Sequence, residues 1–275
     1  MKVALLGTGK MGAAIARRVA GAGFELTLWN RTPERARAVG VGAVASSPEE
    51  AVEGAELVLS ILYDAGSVRE VLGGLRPRPG QVYVEMSTAG PDVVEELALR
   101  LAGTGAELVH APILGSIPAI EQGTALILAG GDPVAFERAR PLLAAFGQPE
   151  HVGTRREAAG LKLLTNAMLG ICSLAAAEVL AAGRLAGLDQ EATFRLLTRL
   201  LPYLPARRRS LLERSHGQPM FELAGIVKDL DLALDLGRQA GAAMPATALS
   251  RELYAFAVPA HGREEMTAVI EEYPA

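Results

Sequence analysis

Lys162 and Asn166 are the residues whose types and spacing most suggest chemistry. They stand four apart in the stretch Glu157 to Leu185, which holds no proline and is rich in Ala and Leu. Helix is the expectation, and the two side chains then share one face. The stretch is apolar on nearly all sides, so the helix should be a buried one of roughly 45 Å. Gly170 and Ser173 continue the face with small side chains, which leaves a lysine beside a cleared, polar strip. A lysine in a dry site can move protons, because burial draws its pKa down from ~10.4. The alternative is a lysine near a helix end that snorkels to water.

A second constellation opens the chain. Val3 to Leu6 reads as a short apolar strand, followed by Gly7-Thr8-Gly9-Lys10-Met11-Gly12 and a helical run from Ala13 to Ala20. This is G-x-G-x-x-G between strand and helix. The first glycine permits the tight turn, the second lets backbone approach a pyrophosphate, and the third lets helix pack on strand. The helix N-terminus offers free N–H groups to the phosphates. The next strand, Glu25 to Trp29, ends in Asn30-Arg31-Thr32, with no acid to hold a ribose 2′-hydroxyl. Arg31 can pair with a 2′-phosphate, and Asn30 and Thr32 can hydrogen-bond to it. NADP(H) is therefore expected over NAD(H).

The elements that must position these groups follow from the pattern. Strands are expected at Leu57 to Leu62, Gln81 to Glu85, Glu107 to His110 and Ala125 to Ala129. Helices are expected near Ser67 to Leu72, from Pro91 to Leu101 and from Pro133 to Phe146. Such alternation means a Rossmann-type, doubly wound, mostly parallel sheet, with ligands beyond the carboxyl ends of its strands. Gly7, Arg31, Tyr63 and Thr88 fall at that edge. Beyond the long helix the strands give out. Helical runs at Asp189 to Leu201, Arg207 to Arg214, Phe221 to Arg238, Pro245 to Ala257 and Glu264 to Glu272 predict an all-α second domain. The expected organisation is residues 1–154 as the dinucleotide-binding domain and 155–275 as the helical substrate and dimerisation domain. Lys228 stands among apolar residues beside Asp229, either as a surface ion pair or facing a cleft.

Composition narrows the class. Half of the 275 residues are hydrophobic and the formal net charge is −4, enough for one large core or two ordinary ones. The absence of a basic tract argues against nucleic-acid or membrane-surface partners. One cysteine, Cys172, fits a reducing compartment. MKVALLGTG lacks the apolar region of a signal peptide, and Glu178 interrupts the one run approaching membrane-span length. A cytoplasmic protein is expected. No His/Cys/Asp cluster has ligand spacing, so no metal is expected. Lys2, Lys10, Lys162 and Lys228 are the only lysines, and Asn30 and Asn166 the only asparagines. A GC-rich genome or a hot environment would each produce this bias.

Together the residues resemble the β-hydroxyacid dehydrogenase family, which includes 3-hydroxyisobutyrate dehydrogenase and the glyoxylate/succinic semialdehyde reductases. The resemblance covers nearly the whole chain. It rests on GTGKMG, on Met86-Ser87-Thr88, on HAPILGS at His110 to Ser116, on GLKLLTN and on PMFELAGIVKDL. It implies Lys162 as the catalytic acid/base, with Asn166 orienting it or holding substrate. It implies Lys228 closing over the cofactor, Thr88 near the nicotinamide, and Leu62, Tyr63 and Ser67 flanking the cofactor. It also implies substrate contacts at Leu114, Gly115 and Ser116, with a departure there. The family's usual Asp-Ala-Pro-Val-Ser-Gly-Gly run has become His110-Ala111-Pro112-Ile113-Leu114-Gly115-Ser116. Either the amides of Gly115 and Ser116 and the Ser116 hydroxyl still hold a carboxylate, or the pocket takes a more apolar substrate.

The expected activity is hydride transfer between a nicotinamide cofactor and a short 3-hydroxy acid or aldehyde-acid. The site is expected between the domains, in a homodimer or homotetramer. The rival expectations are an imine reductase on the same fold and a non-catalytic NADPH-binding module.

Overall fold

The computed structural model describes residues 1–273. The chain forms two units, Met1–Lys162 and a second beginning at Leu163. In the first, the described residues form one nine-stranded sheet. Its strands are β1 (Lys2–Leu6), β2 (Glu25–Trp29), β3 (Ala43–Val44), β4 (Leu57–Ser60), β5 (Val82–Glu85), β6 (Glu107–His110), β7 (Ile113–Leu114), β8 (Ala125–Gly131) and β9 (Gly147–Gly153). The spatial order is 3-2-1-4-5-6-8-7, with β9 paired to β8. Neighbours from β3 through β6 are parallel. β8 runs antiparallel to β6 and β7, and parallel to β9. The helices are α1 (Lys10–Gly21), α2 (Pro33–Arg37), α3 (Pro48–Val52), α4 (Ala65–Gly74), α5 (Pro91–Leu101), α6 (Ile117–Gln122), α7 (Pro133–Ala144) and the first turns of α8 (Arg155–Leu185).

Apolar residues on both sides of each central strand explain the two helical layers, because successive side chains point to opposite faces. Leu5, Leu28, Leu59, Val84 and Val109 meet Ile15 and Val19 of α1 and Phe136 and Leu142 of α7. Leu6, Val58, Tyr83 and Leu108 meet Val68 of α4 and Val94 and Leu97 of α5. Each large aliphatic side chain so buried contributes about 1.5–3 kcal/mol relative to exposure. Helix starts are fixed locally. Asp64 accepts the Ser67 N–H at 2.8 Å to cap α4, and Asp132 accepts those of Val134 and Ala135 at 2.9 Å to cap α7.

The second unit continues α8 and adds α9 (Gln190–Leu200), α10 (Arg208–Glu213), α11 (Leu223–Ala240) and α12 (Pro245–His261). Two 3-10 segments, Leu204–Arg207 and Met266–Glu272, complete it, the latter where an α-helical piece was expected. Leu174, Leu180, Phe194, Ile226, Leu230, Tyr254 and Val269 form its core. α8 also corrects one expectation. The helix continues through Glu178, and by length and composition it could cross a bilayer. Half of its most apolar stretch is buried inside the protein, as in the core helix of a soluble protein.

Candidate active site

The dinucleotide cradle is built where β1 turns into α1. A Cβ on Gly7 would lie 2.2 Å from the Ile61 carbonyl oxygen, and one on Gly12 would lie 2.0 Å from that of Gly7. No side chain fits at either position, so helix and strand pack backbone to backbone. At Gly9, the N-cap of α1, a Cβ would meet nothing within 4 Å. No side chain caps the start of the helix. The Thr8 hydroxyl is buried without a hydrogen-bond partner. These features fit a pyrophosphate and a polar ligand atom beside Thr8. Lys10 and Met11 begin the helix, Lys10 exposed and Met11 against the core.

At the end of β2 the three expected residues divide. Asn30 is a staple. Its Oδ1 accepts the Thr8 N–H at 3.1 Å, and its Nδ2 donates to the Thr32 carbonyl at 3.0 Å. It therefore holds the glycine loop to the strand end. Arg31 and Thr32 are exposed, and Thr32 precedes α2. Leu62 and Ser67 are half-buried, Leu62 just beyond β4 and Ser67 in the first turn of α4, while Tyr63 is 60% exposed. The Leu62 N–H donates to Ser87 Oγ at 2.8 Å, so the loops after β4 and β5 are joined one residue before Thr88.

Lys162 is half-buried in α8, and its Nζ donates to the Ile113 carbonyl at 2.7 Å. Ile113 and Leu114 form β7, and Gly115 and Ser116 lead into α6. Within the first unit the amine thus lies one residue from the Leu114–Ser116 loop.

Asn166 lies four residues further along α8. In the second unit, buried Asn166 donates through Nδ2 to Asp229 Oδ2 at 2.5 Å, and Lys228 Nζ donates to Asp229 Oδ1 at 2.6 Å. Asp229 joins the two expected site residues, and it is the functional candidate that sequence reasoning passed over. Gly170 and Ser173 turn out to serve packing. A Cβ on Gly170 would lie 3.3 Å from the side chains of Ile226 and Leu230 of α11, and Ser173 Oγ lies 3.1 Å from the Tyr203 hydroxyl. The strip is cleared for a helix. Among the described residues no three His, Cys, Asp or Glu side chains are grouped to hold a metal ion.

Two family models account for the chain. Residues 2–159 match the NAD binding domain of 6-phosphogluconate dehydrogenase, and residues 157–273 match the NAD-binding domain of NADP-dependent 3-hydroxyisobutyrate dehydrogenase. Glyoxylate/succinic semialdehyde reductase 1 of Arabidopsis thaliana is 30% identical over 265 residues, covering 92% of this chain and 91% of its own. A solved 3-hydroxyisobutyrate dehydrogenase of Mycobacterium tuberculosis, with L-serine, superposes with a TM-score of 0.85 at 25% identity, covering 98% of both chains. An imine reductase of a Pseudomonas species shares the fold at a TM-score of 0.65 and 24% identity, over 98% of both chains. On its site residues and these relatives, the chain belongs to the β-hydroxyacid dehydrogenase family and is an NAD(P)-dependent oxidoreductase acting on a CH–OH group.

Proposed function

We propose that the chain interconverts a short hydroxy acid and its aldehyde- or keto-acid, prefers NADP(H), and uses Lys162 as its acid/base. The observation that carries the reading is the Lys162 amine, half-buried and 2.7 Å from the Ile113 carbonyl, one residue from the Leu114–Ser116 loop. When bound, the nicotinamide cofactor supplies or accepts the hydride. Gly7, Gly9 and Gly12 would admit its pyrophosphate, with Thr8 beside it. The Arg31 guanidinium would take a 2′-phosphate, at a strand end that carries no acid.

The chain's own groups handle the proton. In reduction, the Lys162 ammonium hydrogen-bonds the substrate's carbonyl oxygen and gives it a proton as negative charge develops. In oxidation, the neutral amine takes the hydroxyl proton. The ammonium needs a fixed direction to do this, and Ile113 supplies one. Thr88 and Asn166 would orient substrate, and the amides of Gly115 and Ser116 would donate hydrogen bonds to its carboxylate. The reading includes a homodimer or homotetramer.

The test is NADPH and NADH oxidation with aldehyde-acids, keto-acids and cyclic imines, on wild type, Lys162→Ala and Arg31→Ala. Acid turnover with NADPH should fall about 10²- to 10⁴-fold in Lys162→Ala. Arg31→Ala should raise the KM for NADPH and leave that for NADH in place. Turnover of imines alone would make the chain an imine reductase. Tight NADPH binding with no turnover would make it a binding module.

A further inference from the structure

Glu85 and His110 are the last residues of β5 and β6 and are partners in register. Their side chains are 0% and 2% exposed, with His110 Nδ1 3.0 Å from Glu85 Oε2. The approach is close without an aligned hydrogen bond, and neither atom has another partner among the described residues. Burying ionisable groups is costly, and an apolar pair of similar size would serve the core as well or better. Core packing therefore gives no reason for this pair to be here.

The pair's attachments give one. Glu85 Oε1 accepts the Ser87 N–H at 2.8 Å, and Ser87 Oγ accepts the Leu62 N–H at 2.8 Å. The Glu85 carbonyl accepts the Ala111 N–H at 2.7 Å. The chain then runs through Pro112, whose carbonyl accepts the Leu128 N–H at 3.0 Å, to Ile113, whose carbonyl accepts Lys162. Glu85 thus ties together the loops after β4 and β5. The His110 side chain, 3.0 Å from Glu85, packs the end of the strand that leads to the Lys162 acceptor against the end of the strand that leads to Thr88. Ala111 and Pro112 have no polar side chain with which to fix that segment themselves.

Resting on the reading of Lys162 as acid/base, we infer that Glu85 and His110 form a positioning pair. They hold the Ala111–Ile113 turn so that the Ile113 carbonyl directs the Lys162 ammonium. Neither touches the reacting atoms. Their loss should cost turnover and spare binding, since misplacement by about 1 Å can cost 10²-fold in rate.

The experiment compares wild type, Lys162→Ala, His110→Leu, His110→Gln and Glu85→Gln by kcat, substrate KM and NADPH Kd from fluorescence. His110→Leu and Glu85→Gln should lose about 10- to 100-fold in kcat with KM and Kd unchanged. His110→Gln keeps a polar side chain that can donate to Glu85 and should recover most of the loss. A second readout needs no turnover. With only four lysines, 15N-lysine labelling gives few Nζ resonances, and Lys162→Arg identifies the relevant one. That resonance should move in His110→Leu while those of Lys2, Lys10 and Lys228 stay. If the single variants fail to fold, Glu85→Met/His110→Leu removes both ionisable groups together and is read the same way. An unchanged kcat and an unmoved Lys162 resonance in a folded variant overturn the inference and leave the reading intact. Full turnover in Lys162→Ala overturns both.

Discussion

Asp229 is 2% exposed and accepts hydrogen bonds through separate oxygens from Asn166 and Lys228. A carboxylate so placed does two things. It satisfies a buried amide, and it pairs with a half-buried lysine. In sequence it reads as a surface partner of its neighbour, because adjacent residues on a helix face different ways and nothing marks which is inward. Lys162 and Asn166 were legible because their spacing falls on one helical face within an apolar run. The roles of Gly170 and Ser173 were not, because small residues clear space for a ligand and for a packed helix alike. Asp229→Asn removes the charge and leaves both donors facing a weaker, partly wrong acceptor. It should destabilise the second unit by about 1–3 kcal/mol, read as a lower midpoint in thermal unfolding, with kcat falling as Asn166 loses its anchor. An unchanged midpoint and kcat would show that the three side chains do not act together.

Among the elements, the long helix, strands β1, β2, β4, β5, β6 and β8 and helices α1, α4, α5 and α7 follow from apolar periodicity and glycine turns, whereas the short β3, α2, α3 and α6 were not expected. Nor do β7 and β9 follow from them. β7 is only Ile113–Leu114, too short for any pattern, yet it carries the lysine's acceptor. β9 reads GQPEHVG, whose proline and glycines suggest a loop. It is a strand because β8 offers it a parallel edge. Tertiary pairing overrides local preference in both cases. The crossing of α12 on α8 can be tested directly. The Tyr254 hydroxyl is fully buried and donates to the Gly170 carbonyl at 3.0 Å. Burial holds its phenol well above the usual value of 10.0, with the charge of Arg207 opposing. A folded-state pKa above the unfolded one gives stability that is complete below the unfolded value and is lost as pH rises beyond it. Tyr254→Phe should therefore be about 1 kcal/mol less stable than wild type at neutral pH. Above pH 10 that deficit should shrink, because Phe has no proton to lose. Denaturant titrations across pH 7 to 11 would check this, and parallel curves for the two proteins would refute it.

At the scale of the whole molecule, the second unit exposes more large apolar side chains than scattered surface positions explain. On α8, Leu164, Met168 and Val179 are exposed. On α9, Leu196 and Leu200 are exposed, and on α12, Leu249 and Phe256. On α8 the positions are spaced by four and eleven residues, which places them along one side of the helix. Helices that are apolar on the side away from their own core are stable in water when another surface covers them. A second copy of the chain presents a matching face by symmetry, since a twofold interface brings the same patch to both sides. Light scattering coupled to size exclusion should therefore give two or four times the mass of one chain. Met168→Glu and Phe256→Glu would place charges in the covered face and should drive the assembly to monomer at low micromolar concentration. Neither change removes a buried side chain of the folded unit, so secondary structure by circular dichroism should persist. A wild-type monomer, or an assembly indifferent to both substitutions, would put the covered surface elsewhere.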